Sequence, residues 1–193
     1  MRDNLSNAFP DLTIREITSI EKRFYLHLCR VALEIIKAIR LPESEFTERV
    51  KIKNPALIKE VSDDYTKSII VLAIHQGNWE WMLQGTSLAL KIPIDPVYKP
   101  LTNESADKLA YKVRARFGSR PIKAEDATKD IIGRRKEFRL FAMVADQSPP
   151  TRARCIRLPF FNREVPFYLG GEVIAKMTNF CVVFAQCHRR DKG

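Results

Sequence analysis

Ser68-Ile69-Ile70-Val71-Leu72-Ala73-Ile74 is a continuous apolar run, rich in β-branched side chains, and His75 follows it directly. Such a run without polar alternation predicts a strand covered on both faces, as in the middle of a sheet flanked by helices. Downstream, Asn78 to Leu90 has helical spacing, with Trp81, Leu88 and Leu90 apolar. Pro93 and Pro96 break that pattern, and Ile94 to Tyr98 fits a short strand. Ser105 to Phe117 predicts a helix that Gly118 stops. Residues 125–135 offer another helix. Phe138 to Ala145 is a second apolar strand, ending at Asp146, and Pro149-Pro150 opens an arginine-rich loop. Val173 to Met177 fits a helix and Cys181 to Cys187 a third strand, followed by the polar turn Arg190-Asp191-Lys192-Gly193. Strands alternating with helices predict an α/β fold, a central mostly parallel or mixed sheet flanked by helices.

Upstream of the first strand the pattern is helical. Asn4 to Pro10 reads as an exposed entry. Thr13 with Glu16 three residues later forms a capping box signature. Ile17, Ile20, Phe24, Leu28, Val31, Ile35 and Ile39 then recur at three- and four-residue steps until Pro42. Lys22, Arg23, Arg30 and Lys37 lie on the same helix. Two readings fit: a helix packed on the domain, or one lying on an anionic membrane surface with its apolar face down. Residues 43–60 predict a further helical link. The chain thus divides into an N-terminal helical segment, residues 1–60, and an α/β core, residues 61–193. The last strand runs into a turn, so further elements are expected beyond it.

The 193 residues are 45% hydrophobic, enough for one α/β domain with a real core. No run of about 18 apolar residues marks a membrane-spanning helix, and no apolar segment behind Arg2-Asp3 marks a signal peptide. The formal net charge of +10 favours acidic partners. The basic residues are dispersed, without the continuous basic face and stacking aromatics of a nucleic-acid-binding module, which is the less favoured reading. Cys29, Cys155, Cys181 and Cys187 form no C-x-x-C pair and sit among apolar neighbours. They predict buried small hydrophobes in a reducing compartment, with neither a disulfide framework nor a metal site.

Chemistry is expected beyond the carboxyl ends of strands, where open α/β sheets bind ligands. Two strands end there in ionisable groups, at His75 and at Asp146. Glu80 follows His75 by five positions across a strand-to-helix turn that Gly77 permits. A carboxylate on one imidazole nitrogen fixes the tautomer and makes the other nitrogen the better base. The spacing alone leaves a structural histidine equally open. Asn78 is first a helix-cap candidate, and it can also line the site.

His75-Gln76-Gly77-Asn78-Trp79-Glu80 resembles the H-x4-D/E signature of the lysophospholipid acyltransferase superfamily, and its Asn-Trp-Glu ending resembles the bacterial lipid A biosynthesis acyltransferases. Three further blocks agree in order: Arg2-Asp3-Asn4-Leu5 with Ala8-Phe9-Pro10, Val97-Tyr98-Lys99-Pro100 with Arg114-Ala115-Arg116-Phe117-Gly118, and Ala145-Asp146-Gln147-Ser148-Pro149 with Leu158-Pro159-Phe160-Phe161.

The resemblance implies a glycerol-3-phosphate acyltransferase-like fold and a reaction needing neither cofactor nor metal. A fatty acyl group would pass from acyl carrier protein, or acyl-CoA, to a hydroxyl of a lipid A precursor, or of another lipid such as a glycerophospholipid or aminolipid. His75 would be the general base and Glu80 its orienting partner. Arg116 and Arg114 would bind an acceptor phosphate, with Asp146 and Gln147 beside the site. Leu158 to Phe161, Phe167 and Tyr168 would line an acyl channel, touch the membrane or pack in the core. The resemblance also implies the cytoplasmic face of the bacterial inner membrane. The family's usual N-terminal membrane helix is not found ahead of the Arg2 block.

Overall fold

A computed structural model describes residues 1–150 and 154–190. Five strands form an all-parallel sheet: β1 (Ile69–Ala73), β2 (Ile94–Tyr98), β3 (Ile122–Lys123), β4 (Leu140–Val144) and, after a separate hairpin, β7 (Cys181–Ala185). Their order is β3-β2-β4-β1-β7, so β1 lies inside the sheet between β4 and β7. The sheet is fully parallel, which settles the choice between a parallel and a mixed one. The two-residue strand β3 was not anticipated, being too short to carry a pattern.

Strand alternation sends neighbouring side chains to opposite faces, and both faces of β1 are covered. Ile70 packs with Phe141, Ile122 and Phe180 under α7 (Ala127–Gly133) and α8 (Gly170–Thr178), through Ile131 and Ile174. Ile69 and Leu140 face the other way, onto Leu83 of α5 (Trp79–Leu90) with Ile92 and Ile94. A third cluster joins Ala38, Phe46, Trp81 and Val113, tying the N-terminal helices to α5 and α6 (Glu104–Arg114). Emptying one of these wholly buried sites, as in Phe141→Ala, is expected to cost about 3–5 kcal/mol.

Four helices precede β1. Asn4 to Pro10 is not an irregular entry: α1 spans Arg2–Ala8. Tertiary contacts hold this short helix, through the Arg2–Glu21 ion pair and the Arg163 guanidinium donating to Asn4 Oδ1. α2 (Ile14–Ala38) starts with the full Thr13/Glu16 capping box. Pro42 then caps α3 (Glu43–Arg49), and α4 covers Ala56–Val61. Only Ile17, Val31 and Ala38 of α2 are buried, whereas Ile14, Tyr25, Leu26, Leu33 and Ile36 are more than half exposed.

After β4 comes an antiparallel hairpin, β5 (Cys155–Phe160) and β6 (Arg163–Tyr168), outside the main sheet. The sequence offered only an arginine-rich loop there, because Pro159 and Pro166 interrupt the strand patterning. Phe160 and Phe161 are each 52% exposed, which corrects a core-packing reading of this block. Phe161 meets Phe9 beyond α1, at 5.5 Å between ring centroids. The cysteines also differ from expectation: all four are free, Cys29, Cys155 and Cys181 are exposed, and Cys187 is half-buried. Their apolar neighbours lie on the outward side of α2, on the hairpin and on edge strand β7. Of the terminal polar turn, residues 191–193 lie outside the described residues, as does Arg152 in the loop after Pro150.

Candidate active site

β1 and β4 are parallel neighbours, with Ile69 opposite Leu140 and Ala73 opposite Val144. Carried two residues further, that register sets His75 beside Asp146. The imidazole Nδ1 lies 2.6 Å from Asp146 Oδ1, and the His75 backbone N–H donates to Asp146 Oδ2 at 3.0 Å. The carboxylate thus grips both the ring and the main chain of His75. The pair is partly open, with side-chain exposures of 29% and 32%, so a substrate can reach the ring. Trp79 stands edge-on to the imidazole, with centroids 4.7 Å apart.

The turn from β1 to α5 is tight. Gly77 has φ +61°, and a Cβ there would lie 2.7 Å from both the carbonyl oxygen and Sγ of Cys187. Glycine meets both demands, conformation and space. Asn78 caps α5, its Oδ1 accepting from the Trp81 backbone N–H at 2.9 Å. Beside His75, Gln76 Oε1 is buried with no partner among the described residues.

Glu80 takes a different place from the one its spacing suggested. It is buried in the first turn of α5, and its carboxylate receives Arg114 of α6 rather than His75. Arg114 Nε donates at 3.2 and 3.1 Å to the two oxygens, and Nη2 donates to Oε1 at 2.5 Å. Burial alone would lower the Arg114 pKa, but the hydrogen bonds and charge of Glu80 outweigh it and hold the guanidinium above its ordinary value. Its Cζ also lies 5.3 Å from the centroid of the Tyr98 ring. A strand-end histidine had two acids within reach of its neighbourhood, and only the strand register distinguishes them.

Arg116 sits elsewhere. Its Nη1 donates to Ala38 O at 2.5 Å and its Nη2 to Leu41 O at 2.9 Å, satisfying carbonyls at and beyond the end of α2. Gln147 is exposed beside Asp146. A separate groove of about 600 Å³ opens at the amino ends of the strands, lined by Ser87, Lys91, Arg116 and Arg139. Arg139 is committed there to buried Asp95, and the groove lies at the opposite end of the strands from His75. Among the described residues no group of three metal-ligating side chains occurs, and no helix is long and apolar enough to cross a membrane.

The family model described as bacterial lipid A biosynthesis acyltransferase matches residues 1–193. No curated protein matches the chain.

Proposed function

Because the chain belongs to the bacterial lipid A biosynthesis acyltransferase family, and so to the enzymes that acylate lipid, we propose that it moves a fatty acyl group from acyl carrier protein or acyl-CoA to a hydroxyl of a lipid A precursor. The observation that carries the mechanism is the contact between His75 Nδ1 and Asp146 Oδ1 at the carboxyl end of the central strands. With the proton on Nδ1 donated to Asp146, His75 Nε2 is left as the proton acceptor.

Nε2 takes the proton of the acceptor hydroxyl as its oxygen attacks the thioester carbonyl. The carbonyl oxygen becomes the tetrahedral oxyanion, which the free N–H groups at the start of α5 can stabilise. Collapse breaks the C–S bond, and the departing sulfur takes the proton back from the imidazolium. The products are the lipid ester and the free thiol carrier, with no acyl-enzyme. Asp146 balances the transient positive charge on His75. Glu80, locked by Arg114, holds the first turn of α5 in place and acts on the imidazole through that helix. Gln76 Oε1 offers an acceptor to a substrate N–H or O–H group. Arg114 and Arg116 could bind an acceptor phosphate only by exchanging the partners they now hold, so we assign them to fixing Glu80 and α2.

The acceptor would be met at the inner-membrane surface on its cytoplasmic face. The outward apolar side of α2 and the exposed hairpin phenylalanines support a surface contact, and the basic balance suits both anionic lipid and an acidic carrier protein. Mass spectrometry of lipid A from cells with and without the gene tests the reading. A missing acyl chain in the deletion, restored by the wild-type gene, is the expected result. Unchanged lipid A with an altered glycerophospholipid or aminolipid would replace the acceptor.

A further inference from the structure

α2 reaches the catalytic turn through Glu34. The Glu34 carboxylate accepts from Asn78 Nδ2 at 2.8 Å and pairs with the Arg189 guanidinium, which follows β7. The backbone carbonyl of Glu34 accepts from Trp81 Nε1 at 2.9 Å. The Glu34 side chain is 18% exposed, in a helix that buries little else, so the contact is sheltered.

We propose that Glu34 is a positioning residue for His75. The inference rests on His75 being the base. An asparagine amide can face either way, and only one way caps α5. By accepting from Nδ2, the Glu34 carboxylate turns Oδ1 toward the Trp81 N–H. That sets the start of α5, where Trp79 stands against the imidazole and Glu80 begins the first turn. Arg189 neutralises the carboxylate and ties the segment after β7 to the same point. The chain of contacts thus runs from α2 through Asn78 and Trp79 to the His75 ring, which Asp146 holds at Nδ1. A neutral acceptor in place of Glu34 would still orient the amide but would lose Arg189.

The test measures kcat and KM for acyl transfer from an acyl carrier protein thioester to a lipid A precursor, using the full chain. The variants are Glu34→Ala, Glu34→Gln, Glu34→Asp, Asn78→Ser and the Glu34→Ala/Asn78→Ser double variant, with His75→Ala in parallel. Glu34→Ala is expected to lower kcat about tenfold or more with KM within about twofold, because misplacing a reacting group costs rate rather than binding. Glu34→Gln should recover most of the loss. Serine caps a helix without an amide to orient, so Glu34→Ala should add little to Asn78→Ser. If Glu34→Ala does not fold, Glu34→Asp, which withdraws the carboxylate by one methylene, should lose kcat in its place. Wild-type kcat in Glu34→Ala or Glu34→Asp, a loss confined to KM, or full additivity with Asn78→Ser would overturn the inference while His75→Ala stays inactive. An active His75→Ala would instead overturn the reading beneath it.

Discussion

His75 and Asp146 are 71 residues apart in the chain, yet Nδ1 and Oδ1 meet at 2.6 Å, because β1 and β4 run parallel in a register offset by that same separation. The contact is therefore a property of the sheet. Asp146→Asn should leave the fold intact but favour the wrong imidazole tautomer. The expected outcome is a kcat lower by about 10²–10⁴-fold, with KM little changed and an unaltered far-UV spectrum. Steady-state acyl-transfer kinetics check it.

Glu80 and Arg114 form a largely buried pair, with side-chain exposures of 10% and 19%. Removing one partner of a fully buried pair costs about 3–5 kcal/mol; the residual exposure of Arg114 should place Glu80→Ala toward or below the lower end. Arg114→Ala in the same background should restore part of the loss, since it removes the stranded charge. Urea unfolding of the two single variants and the double variant measures the coupling. Activity should fall in Glu80→Ala because α5 loosens behind His75.

Gly77→Ala puts a methyl group against the Cys187 carbonyl at a positive φ. A backbone carbonyl cannot swing aside as a flexible side-chain end can. Of order 1–3 kcal/mol of strain is expected, read as a lower thermal midpoint together with a fall in kcat.

The start of α2 should be acid-sensitive. Hydrogen bonds from the Thr13 side chain and then its backbone N–H hold the Glu16 pKa below its ordinary 4.5. A folded-state pKa below the unfolded one stabilises the fold above the unfolded value, and that contribution disappears as pH falls through the folded value. Wild type and Glu16→Gln should therefore differ in thermal midpoint at pH 7 and converge at low pH.

The apolar side of α2 should bind lipid. Leu33 and Ile36, each 62% exposed, changed together to aspartate should reduce cosedimentation with anionic vesicles without changing stability. Wild-type binding should weaken as salt rises, as expected for a basic chain at an anionic surface.

Much of this fold was legible in the chain. The apolar runs at 69–73, 140–144 and 181–185 became sheet strands, since a strand covered on both faces must be apolar throughout. Thr13, Asn78 and Gly118 marked helix ends because caps have local chemistry. The hairpin was not legible: Pro159 and Pro166 interrupt its alternation, and Ile156, Leu158, Phe160 and Phe161 are exposed. The partner of His75 was legible only in part. Both strand ends stood out as ionisable, but near-neighbour spacing favoured Glu80, and nothing local reveals that Arg114 claims it. Glu34 gave no signal at all, being one acid among many on a charged helix until Asn78 and Trp81 come to rest against it.

The most direct test of the account is single-turnover acyl transfer by His75→Ala in a protein shown to be folded by its unfolding midpoint. A loss of at least about 10²-fold in the chemical step is expected, with donor binding retained. Transfer within a few-fold of wild type would contradict the assignment of His75 as the base.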